Sequence, residues 1–498
     1  MQNQKSFTYS SILKATGVFG AMQGFRMLIG IVTTKFLALF LGPNGIGILS
    51  LLNNAINIIV ALSSFEFLKT ATREIALANN SDDKSLLSKT IKTIQYMAIA
   101  IGVFGALISV LFSKTLSQLT FGNTENQKWF LVLAVYFLII SLANARMAIL
   151  QGVNKIKILA LSNIVAAFIT AIGTILIYYF YRIEGIVWAF LFSSIVLLMV
   201  TLYFTRNYKI DFSYFNFKEL MKESSPIFIL GFFMSLNLIF GQICNFLIKL
   251  YLNDGGTSSN VIGYFEVSSV ILINYLGLIF NAMSFDFFPK LSSISKDNVA
   301  IKKLVNNQIE IAIILVTPAV ILLYLAGPLF IQLLYSKAFL NSFLILKIAL
   351  FSVILKSVIF PLGYIVLAKG DKKLFFKQAL LSDSLNLFFS IVLYKYYGLT
   401  GLGFAYVFNY VIYGVYIYYV TNKYYHFTLF NDCKKLIVLN AILGIAAIIS
   451  ILVFELFYAN ILIAILLIIS VTYSAKELNE RINIKEVLLK LINKFRRK

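Results

Sequence analysis

The sequence predicts an all-α polytopic membrane protein of about 14 transmembrane helices, with two pseudo-symmetric six-helix lobes followed by two C-terminal helices. Hydropathy is the first reason. Of the 498 residues, 60% are hydrophobic, and the mean hydropathy is +0.86, whereas about half of a soluble chain is apolar. The second reason is an internal repeat at an offset of about 216 residues, which is expected if one bundle of helices was duplicated.

Fourteen apolar segments are long enough to cross about 30 Å of hydrocarbon, at about 1.5 Å per helical residue. The first carries internal charges and lacks a small-residue cleavage site, so we expect a retained span and not a removed signal peptide. The first six run over 12–40, 45–65, 92–113, 129–150, 158–180 and 184–204, the second six over 226–251, 261–288, 308–334, 341–368, 376–396 and 400–421, and the last two over 435–454 and 457–475.

The repeat is visible at glycines near helix ends. Glycine is common at helix ends in any protein, but agreement of three separate positions favours duplication. Two like membrane halves in one chain are typical of a transporter with its path between them. The pairs, at offsets of 216, 218 and 216, are Gly47 with Gly263, Gly152 with Gly370, and Gly185 with Gly401.

These patterns also divide the chain. Segment 476–498 has apolar residues at helical spacing among eight Lys and Arg, which predicts an amphipathic helix on the anionic inner leaflet or a simple solvated anchor. The predicted parts are an N-terminal lobe over 1–205, a polar cytoplasmic linker over 206–225 that ends before Pro226, a C-terminal lobe over 226–421, two additional helices over 435–475, and the basic tail.

Charge is distributed unequally between the loops of the two sides. One side holds 30 Lys and Arg and the other holds six, which predicts that both termini lie in the cytoplasm. This bias accounts for most of the net charge of +22, so no nucleic-acid partner is expected. His426 is the only histidine and lies in a cytoplasmic loop, and there is no phosphate-binding GxxxxGK[ST] loop. We therefore expect no metal and no cofactor.

Two basic residues lie near the middle of predicted spans, where a charge costs several kcal/mol unless it is compensated. Arg26 lies in the first span and Lys356 in the tenth, in opposite predicted lobes. We expect both to face an aqueous cavity, the alternative being a buried structural pair.

Four further basic residues are weaker candidates. Lys35 and Lys347 each lie nine residues from a mid-span residue, which points them to the opposite helix face, and both can reach the outer headgroups. Gly30 could break the first helix and bring Lys35 round to the face of Arg26. Arg146 and Lys249 lie at span ends, where snorkelling to the headgroups is the expected behaviour.

Acids and amides complete the polar set within the spans. Asp383 and Asp286 could carry a proton or sodium ion, or could form ion pairs with basic residues. Asp286 could also be an interfacial carboxylate, because it lies close to the cytoplasmic end of its span. Polar faces on the second and eighth spans could meet sugar hydroxyls or form hydrogen bonds between helices. They consist of Asn53 with Asn57, and of Asn274 with Asn281.

Three motifs resemble those of one transporter family. The segment TTKFLALFLGPNGIGILSLLNNAINII at 33–59 resembles the opening of Wzx-type polysaccharide flippases, AMSFDFFPKLS at 282–292 resembles the end of the eighth span in O-antigen translocases, and VLAKGDKK at 366–373 is similar to the loop after their tenth. The resemblance extends over roughly residues 10–425 and points to the multidrug/oligosaccharidyl-lipid/polysaccharide exporter superfamily, and within it to the Wzx branch.

This resemblance implies two six-helix lobes in a V shape that move an undecaprenyl-pyrophosphate-linked oligosaccharide across the bacterial inner membrane by alternating access. The family's cationic central cavity matches Arg26, and Lys35 occupies the family's basic position before the LGP loop. The partners implied are the lipid-linked oligosaccharide, anionic membrane lipids, and a polysaccharide polymerase with other glycan-assembly proteins. Segment 435–475 is absent from the shortest members and present in lipid II flippases.

Two other classes of function are weighed against the flippase. A multidrug or metabolite antiporter shares the fold but generally extrudes organic cations, which a cationic cavity repels. A membrane-integral enzyme would need a large loop with acids, His or Arg for chemistry, and no external loop exceeds about 17 residues. The sequence therefore favours the flippase and predicts no enzymatic activity.

The position of Arg26 gives a first prediction. We expect Arg26→Ala to abolish surface glycan at matched membrane expression, because a pyrophosphate would lose a charge-assisted donor. Arg26→Lys should restore surface glycan only in part, since the lysine ammonium is a point charge and cannot form the paired hydrogen bonds of a planar guanidinium. Normal surface glycan in cells carrying Arg26→Ala would contradict this role.

Overall fold

The computed structural model describes residues 9–81, 84–208, 217–253 and 259–481, and within these ranges the regular elements are all helical. This confirms the predicted fold class. The helices are α1 Tyr9–Ser64, α2 Phe67–Asn79, α3 Lys84–Leu111, α4 Ser113–Phe121, α5 Gln127–Gly152, α6 Ile156–Tyr181, α7 Gly185–Phe204, α8 Phe217–Leu252, α9 Asn260–Val270, α10 Gly277–Ser293, α11 Asn298–Leu334, α12 Ser342–Ala368, α13 Lys372–Tyr425, α14 Asn431–Val453 and α15 Leu456–Arg481.

Eleven helical segments of the described chain are long and apolar enough to cross a membrane. Three of them contain two predicted spans each. Helix α1 turns at Gly42 (φ 63°, ψ −176°) with Pro43 directly after, a proline position that suits the start of a new helix. Helix α13 turns at Gly398 (φ 57°, ψ −137°), and a 3₁₀ turn at Arg182–Glu184 joins α6 to α7. The count of 14 stays a prediction.

Backbone conformation repeats at the predicted offset. Arg182 adopts φ 49°, ψ −129° between α6 and α7, and Gly398, 216 positions later, adopts φ 57°, ψ −137° between the halves of α13. A left-handed φ is costly for a residue with a Cβ. In the first half the Arg182 guanidinium donates to the Phe40 carbonyl at 3.1 Å, which helps to hold the turn.

The register of the repeat differs from the sequence alignment at one pair. The turn after α5 has Asn154 at φ 59°, and the turn after α12 has Gly370 at φ 73°. The amide of Lys155 donates to Leu150 and that of Asp371 to Val366, which is the closing bond of a helix C-cap. The structure therefore pairs Gly370 with Asn154 at an offset of 216, and the pairing with Gly152 was wrong by two residues.

Contacts of Gly185 and Gly401 repeat as well. A Cβ on Gly185 would lie 2.9 Å from the Ile177 side chain, and one on Gly401 would lie 2.0 Å from the carbonyl oxygen of Leu393. Ile177 and Leu393 are themselves 216 positions apart. Each glycine therefore allows the same close return of one helix onto the helix before it.

The chain divides into two compact units, Met1–Ile262 and Gly263–Lys498. In unit 1, α5 packs against α2, α3 and α7, and α8 packs against α1 and α2. The predicted lobe boundary lies instead at 206–225, and α8 already begins at Phe217 within that linker. The predicted lobes are defined by the sequence repeat, whereas the compact units are defined by packing. The lobe boundaries therefore stay a prediction.

Two short helices of unit 1 were not predicted. Helix α2 follows the second span and buries Phe67, Ala71 and Ile75 against α3 and α5, and α4 follows α3. Neither is long enough to cross a membrane, and the length and hydropathy that predict a span do not predict a short amphipathic helix.

Unit 2 is built around α11 and α12, against which α14 and α15 pack. Asp297 caps the start of α11 by accepting from the amides of Val299 and Ala300, as N-cap acids do. Helix α14 packs closely on α12 at Gly444, where an added Cβ would lie 2.6 Å from the Ile354 side chain. The two additional helices are thus integral to unit 2.

Asn306 fixes the entry to α14. This fully buried side chain accepts from the amide of Phe430 at 2.8 Å and donates to the carbonyl of Thr428 at 3.1 Å. An amide that satisfies both a donor and an acceptor of the incoming chain leaves neither unpaired in the interior.

One helical turn later, Glu310 fixes the end of α15. Its carboxylate accepts from Arg481 Nε at 2.8 Å, with side chains 11% and 24% exposed. Arg481 also donates to the carboxylate and to the carbonyl of Glu477. Charge-assisted bonds at low exposure are stronger than surface pairs. Residues 476–481 thus extend α15, and the remainder of the predicted tail, 482–498, lies outside the described residues.

This network predicts a stability effect. Arg481→Ala should lower the free energy of unfolding by about 2 kcal/mol, because the buried Glu310 carboxylate loses its charged donor. The measurement is the melting temperature of the purified protein in detergent. Lys435→Ala is the matched control, since Lys435 meets Asp432 at 3.8 Å with both side chains 81% exposed. Equal melting temperatures for the two variants would contradict the proposed anchoring.

Candidate functional site

In unit 1, Arg26 and Lys35 both lie on the part of α1 that precedes the turn at Gly42. Helix α1 departs from helical geometry only at Gly42 within its described length. Gly30 therefore does not break it, and the expectation that Gly30 brings Lys35 round to Arg26 was wrong. Nine residues at about 100° each place the two on opposite faces. The Arg26 side chain lies outside the described residues, and Lys35 is half-buried.

Lys249 is buried and does not snorkel. It is 3% exposed, and its ammonium donates to Ser50 Oγ at 2.6 Å and Asn54 Oδ1 at 3.1 Å. The snorkelling prediction was wrong because α8 packs directly on the polar stripe of α1. The position of Lys249 along its span does not predict this contact. The spacing of Ser50 and Asn54, four residues apart on α1, does indicate a polar helix face.

Arg146 is also buried, at 4% exposure. Its guanidinium donates to the carbonyl of Tyr208 at 2.9 Å, whose ring also faces the Lys155 ammonium at 5.2 Å. Arg146 thus holds the segment after α7 against α5, and the snorkelling prediction fails here too.

Neighbouring asparagines on α1 differ in their surroundings. Asn54 is 4% exposed and binds Lys249, whereas Asn53 is exposed and Asn57 is half-buried. Asn53 therefore lies at the surface of unit 1 and Asn57 partly so, while Asn54 serves its interior.

In unit 2, Lys356 stands over an aromatic ring. It is half-buried in the middle of α12, about 21 Å by helical rise from Ser342 and about 18 Å from Ala368. Its ammonium lies 5.1 Å from the centroid of Phe280 on α10. Among the described residues Lys356 has no ion pair. A ring quadrupole attracts the cation but leaves its net charge in place.

The other charged candidates of unit 2 lie in separate positions. Lys347 and Asp383 are half-buried, and neither forms an ion pair within the described chain. Asp383 interacts electrostatically with Tyr413. Asp286 pairs with Lys290 at 2.5 Å, and both side chains are largely exposed. The ion pair with Lys290 is one of the alternatives predicted for Asp286.

The predicted amide pair of the eighth span lies on an irregular helix. Residues Ile271–Tyr275 form a π-helical turn between α9 and α10, a feature often found at functional sites. Asn274 lies in this turn, Asn281 lies seven residues later, and both are exposed. Such amides are poorly suited to face lipid, since a polar group without a partner is costly in hydrocarbon.

Two kinds of polar group recur among the described candidates, basic side chains and amides. The described residues hold no group of three or more His, Cys, Asp or Glu side chains placed to coordinate a metal ion. A cation with no acid partner and exposed amides could bind phosphate oxygens and hydroxyl groups, respectively.

Comparison with known proteins gives a match to one family model and to curated relatives. A family model described as "Polysaccharide biosynthesis protein" matches residues 36–344. The chain is 26% identical over 332 residues to a Shigella flexneri protein named "Putative O-antigen transporter", covering 65% of this chain and 77% of the relative. It is 23% identical over 410 residues to the Lipid III flippase of Escherichia coli strain K12, covering 81% and 96%.

Among solved structures, the fold is similar to that of Lipid II flippase MurJ in an inward closed conformation. The TM-score is 0.69 at 16% identity, covering 93% of this chain and 99% of the other. The predicted resemblance to the exporter superfamily is confirmed.

The contrast between Asn54 and Asn53 gives a test that separates structure from binding. Asn54→Ala should lower the free energy of unfolding by about 1–3 kcal/mol, because the buried Lys249 ammonium loses an acceptor. Asn53→Ala should change it by less than about 0.5 kcal/mol. Thermal unfolding in detergent measures both. A stable Asn54→Ala protein, or an equally unstable Asn53→Ala protein, would refute this assignment.

Proposed function

The chain belongs to the polysaccharide biosynthesis protein family, and from that premise we propose that it is a flippase for undecaprenyl-pyrophosphate-linked oligosaccharide. The cargo is an O-antigen or related polysaccharide repeat unit, carried from the cytoplasmic to the periplasmic leaflet by alternating access. The names of the two relatives, a transporter and a flippase, support this proposal and favour transport over enzymatic activity.

The single observation that carries the choice of cargo is the environment of Lys356. A lysine about 20 Å from either end of α12 is costly in hydrocarbon unless water or a ligand reaches it. Phe280 stabilises the ammonium without neutralising it. An anionic linker such as pyrophosphate supplies the missing counter-charge through charge-assisted hydrogen bonds.

The remaining candidates take supporting roles in the proposal. Arg26, Lys35 and Lys347 add to a cationic central cavity that receives the pyrophosphate. Exposed Asn53, Asn274 and Asn281, with half-buried Asn57, meet sugar hydroxyls, for which an amide offers both donor and acceptor.

Asp383 is proposed to couple transport to an ion. It is a half-buried acid within α13 that forms no ion pair with the described residues, and acids of this kind mark proton and sodium pathways. A multidrug antiporter, the alternative function, also uses such an acid. The uncompensated Lys356 disfavours it, because an organic cation would be repelled.

The cellular setting follows from the same proposal. The protein lies in the bacterial inner membrane as a multi-pass protein with both termini in the cytoplasm, where the basic tail meets anionic lipids. Its product, a lipid-linked repeat unit on the outer leaflet, is the substrate form that a polysaccharide polymerase and other glycan-assembly proteins would take.

Deletion of the gene in a strain without redundant flippases tests the function as a whole. Lipid-linked repeat units should accumulate on the cytoplasmic leaflet, where an impermeant lectin cannot reach them in spheroplasts, and surface glycan should fall. Unchanged glycan display together with unchanged intermediates would contradict the proposal.

Lys356 variants test the assigned cation. Lys356→Gln should lower surface glycan about tenfold or more, because a hydrogen bond to a charged group is worth about 1.5–3 kcal/mol, and Lys356→Arg should retain part of the activity. Lys395→Gln, the same change at an exposed position of α13, is the control. Wild-type display with Lys356→Gln at matched expression would refute the role of Lys356.

A further inference from the structure

One face of α12 carries more than Lys356. Phe360, Gly363 and Tyr364 follow it at spacings of four, seven and eight residues, so all four lie along one helical stripe. Lys356, Phe360, Gly363 and Tyr364 are each half-buried. We call this stripe the Lys356 face.

The Lys356 face is open on the side of Gly363. A Cβ on this glycine would meet no heavy atom within 4 Å. Because the stripe includes a mid-helix lysine, exposure of this face to lipid would be costly. The open space is therefore better matched to water or a polar ligand than to acyl chains.

Aromatic side chains of α10 hold the rings of this face in place. Phe360 lies 5.4 Å from Phe280 and 4.9 Å from Tyr364 between ring centroids. Tyr364 in turn lies 6.0 Å from Phe287 and 5.5 Å from Phe288, in edge contacts. Phe280 and Phe287 are each 2% exposed, so buried rings support half-buried ones.

Tyr364 keeps its polar group available. Its hydroxyl forms no hydrogen bond with any described residue, and the residue is half-buried. An amphipathic ring with an unused hydroxyl, on a face that is open beside Gly363, is well suited to a ligand that has both apolar and hydroxylated surfaces.

We propose that the Lys356 face is a saccharide subsite, in which Phe360 and Tyr364 stack against the first sugar ring while Lys356 binds the adjoining phosphate. The proposal deepens the proposed function and rests on it. The C–H face of a pyranose is apolar and carries slight positive charge, which matches the negative face of an aromatic ring. The Tyr364 hydroxyl then exchanges a hydrogen bond with a sugar hydroxyl.

The spacing along α12 fits this assignment. Phe360 follows Lys356 by about 6 Å of helical rise and Tyr364 by about 12 Å. In the lipid-linked oligosaccharide the first sugar is bonded directly to the phosphate, so cation and ring must be adjacent in this way. The stripe runs from Lys356 towards the predicted cytoplasmic end of α12, the side from which the glycan would load.

Binding measurements on the purified full-length protein in detergent test the subsite. Two probes are compared: undecaprenyl pyrophosphate without sugar, and the undecaprenyl-pyrophosphate-linked repeat unit purified from the producing strain. Phe360→Leu keeps an apolar side chain but removes the ring face, and Tyr364→Phe removes only the hydroxyl. Phe388→Leu, at a ring that is 57% exposed on α13, is the control.

Phe360→Leu should weaken binding of the repeat-unit lipid about three- to tenfold, the range expected for one ring contact, and leave the sugar-free lipid unchanged. Tyr364→Phe should weaken binding of the repeat-unit lipid about fivefold and leave binding of the sugar-free lipid unchanged. Phe388→Leu should change neither.

Three results would overturn the subsite while leaving the proposed function intact. The first is that the wild-type protein binds the two lipids with equal affinity. The second is that Phe360→Leu weakens binding of both lipids equally, as a packing or acyl-chain role would give. The third is that binding is unchanged in both variants. A wild-type protein that binds neither lipid would overturn the proposed function and the subsite together.

Discussion

The cost of placing a charge in hydrocarbon is the constraint on which the rest of this structure depends. The described chain meets it in three ways. Arg146 and Lys249 are buried against neutral acceptors, Glu310 and Arg481 neutralise each other, and Lys356 rests on the ring of Phe280. In the first two, the hydrogen bonds of the charged group hold neighbouring segments together and stabilise packing. In the third, a half-buried lysine in the middle of α12 keeps its net charge beside the open space at Gly363, which is why we propose a function for this residue.

Duplication of a helix bundle explains the recurring backbone features of the two halves but not the position of Lys356. Positive-φ turns, C-cap bonds and glycine contacts recur 216 positions apart, as at Arg182 and Gly398. Yet the position 216 residues before Lys356 is Ile140, so the second half carries a cation where the first carries an aliphatic side chain. The two additional helices also belong to the second half, through Asn306 and Glu310 of α11. The proposed contact of Lys356 is thus not repeated in the first half.

Hydropathy and repeat spacing were enough to predict the helical membrane fold, and most predicted segments begin and end within a few residues of a helix end or of a turn within a helix. They did not predict the partners of individual charges. Lys249 and Arg146 were assigned to the headgroups from their positions along a span, whereas their burial depends on which helix packs beside them. Similarly, Gly152 was aligned with Gly370 by residue type, while the backbone shows that Asn154 takes the left-handed turn. Lys356 could be found because a mid-span lysine is unusual in itself; its aromatic support could not.

The central claim is that an uncompensated cation in the membrane selects an anionic lipid linker. Reconstituted proteoliposomes test it most directly, with two lipids that carry the same oligosaccharide on the same polyprenyl chain, one through pyrophosphate and one through a neutral ether. The measurement is the rate at which the glycan becomes accessible to an impermeant lectin on the opposite leaflet. The account predicts protein-dependent flipping of the pyrophosphate lipid and little flipping of the neutral one. Equal rates for the two lipids would contradict it.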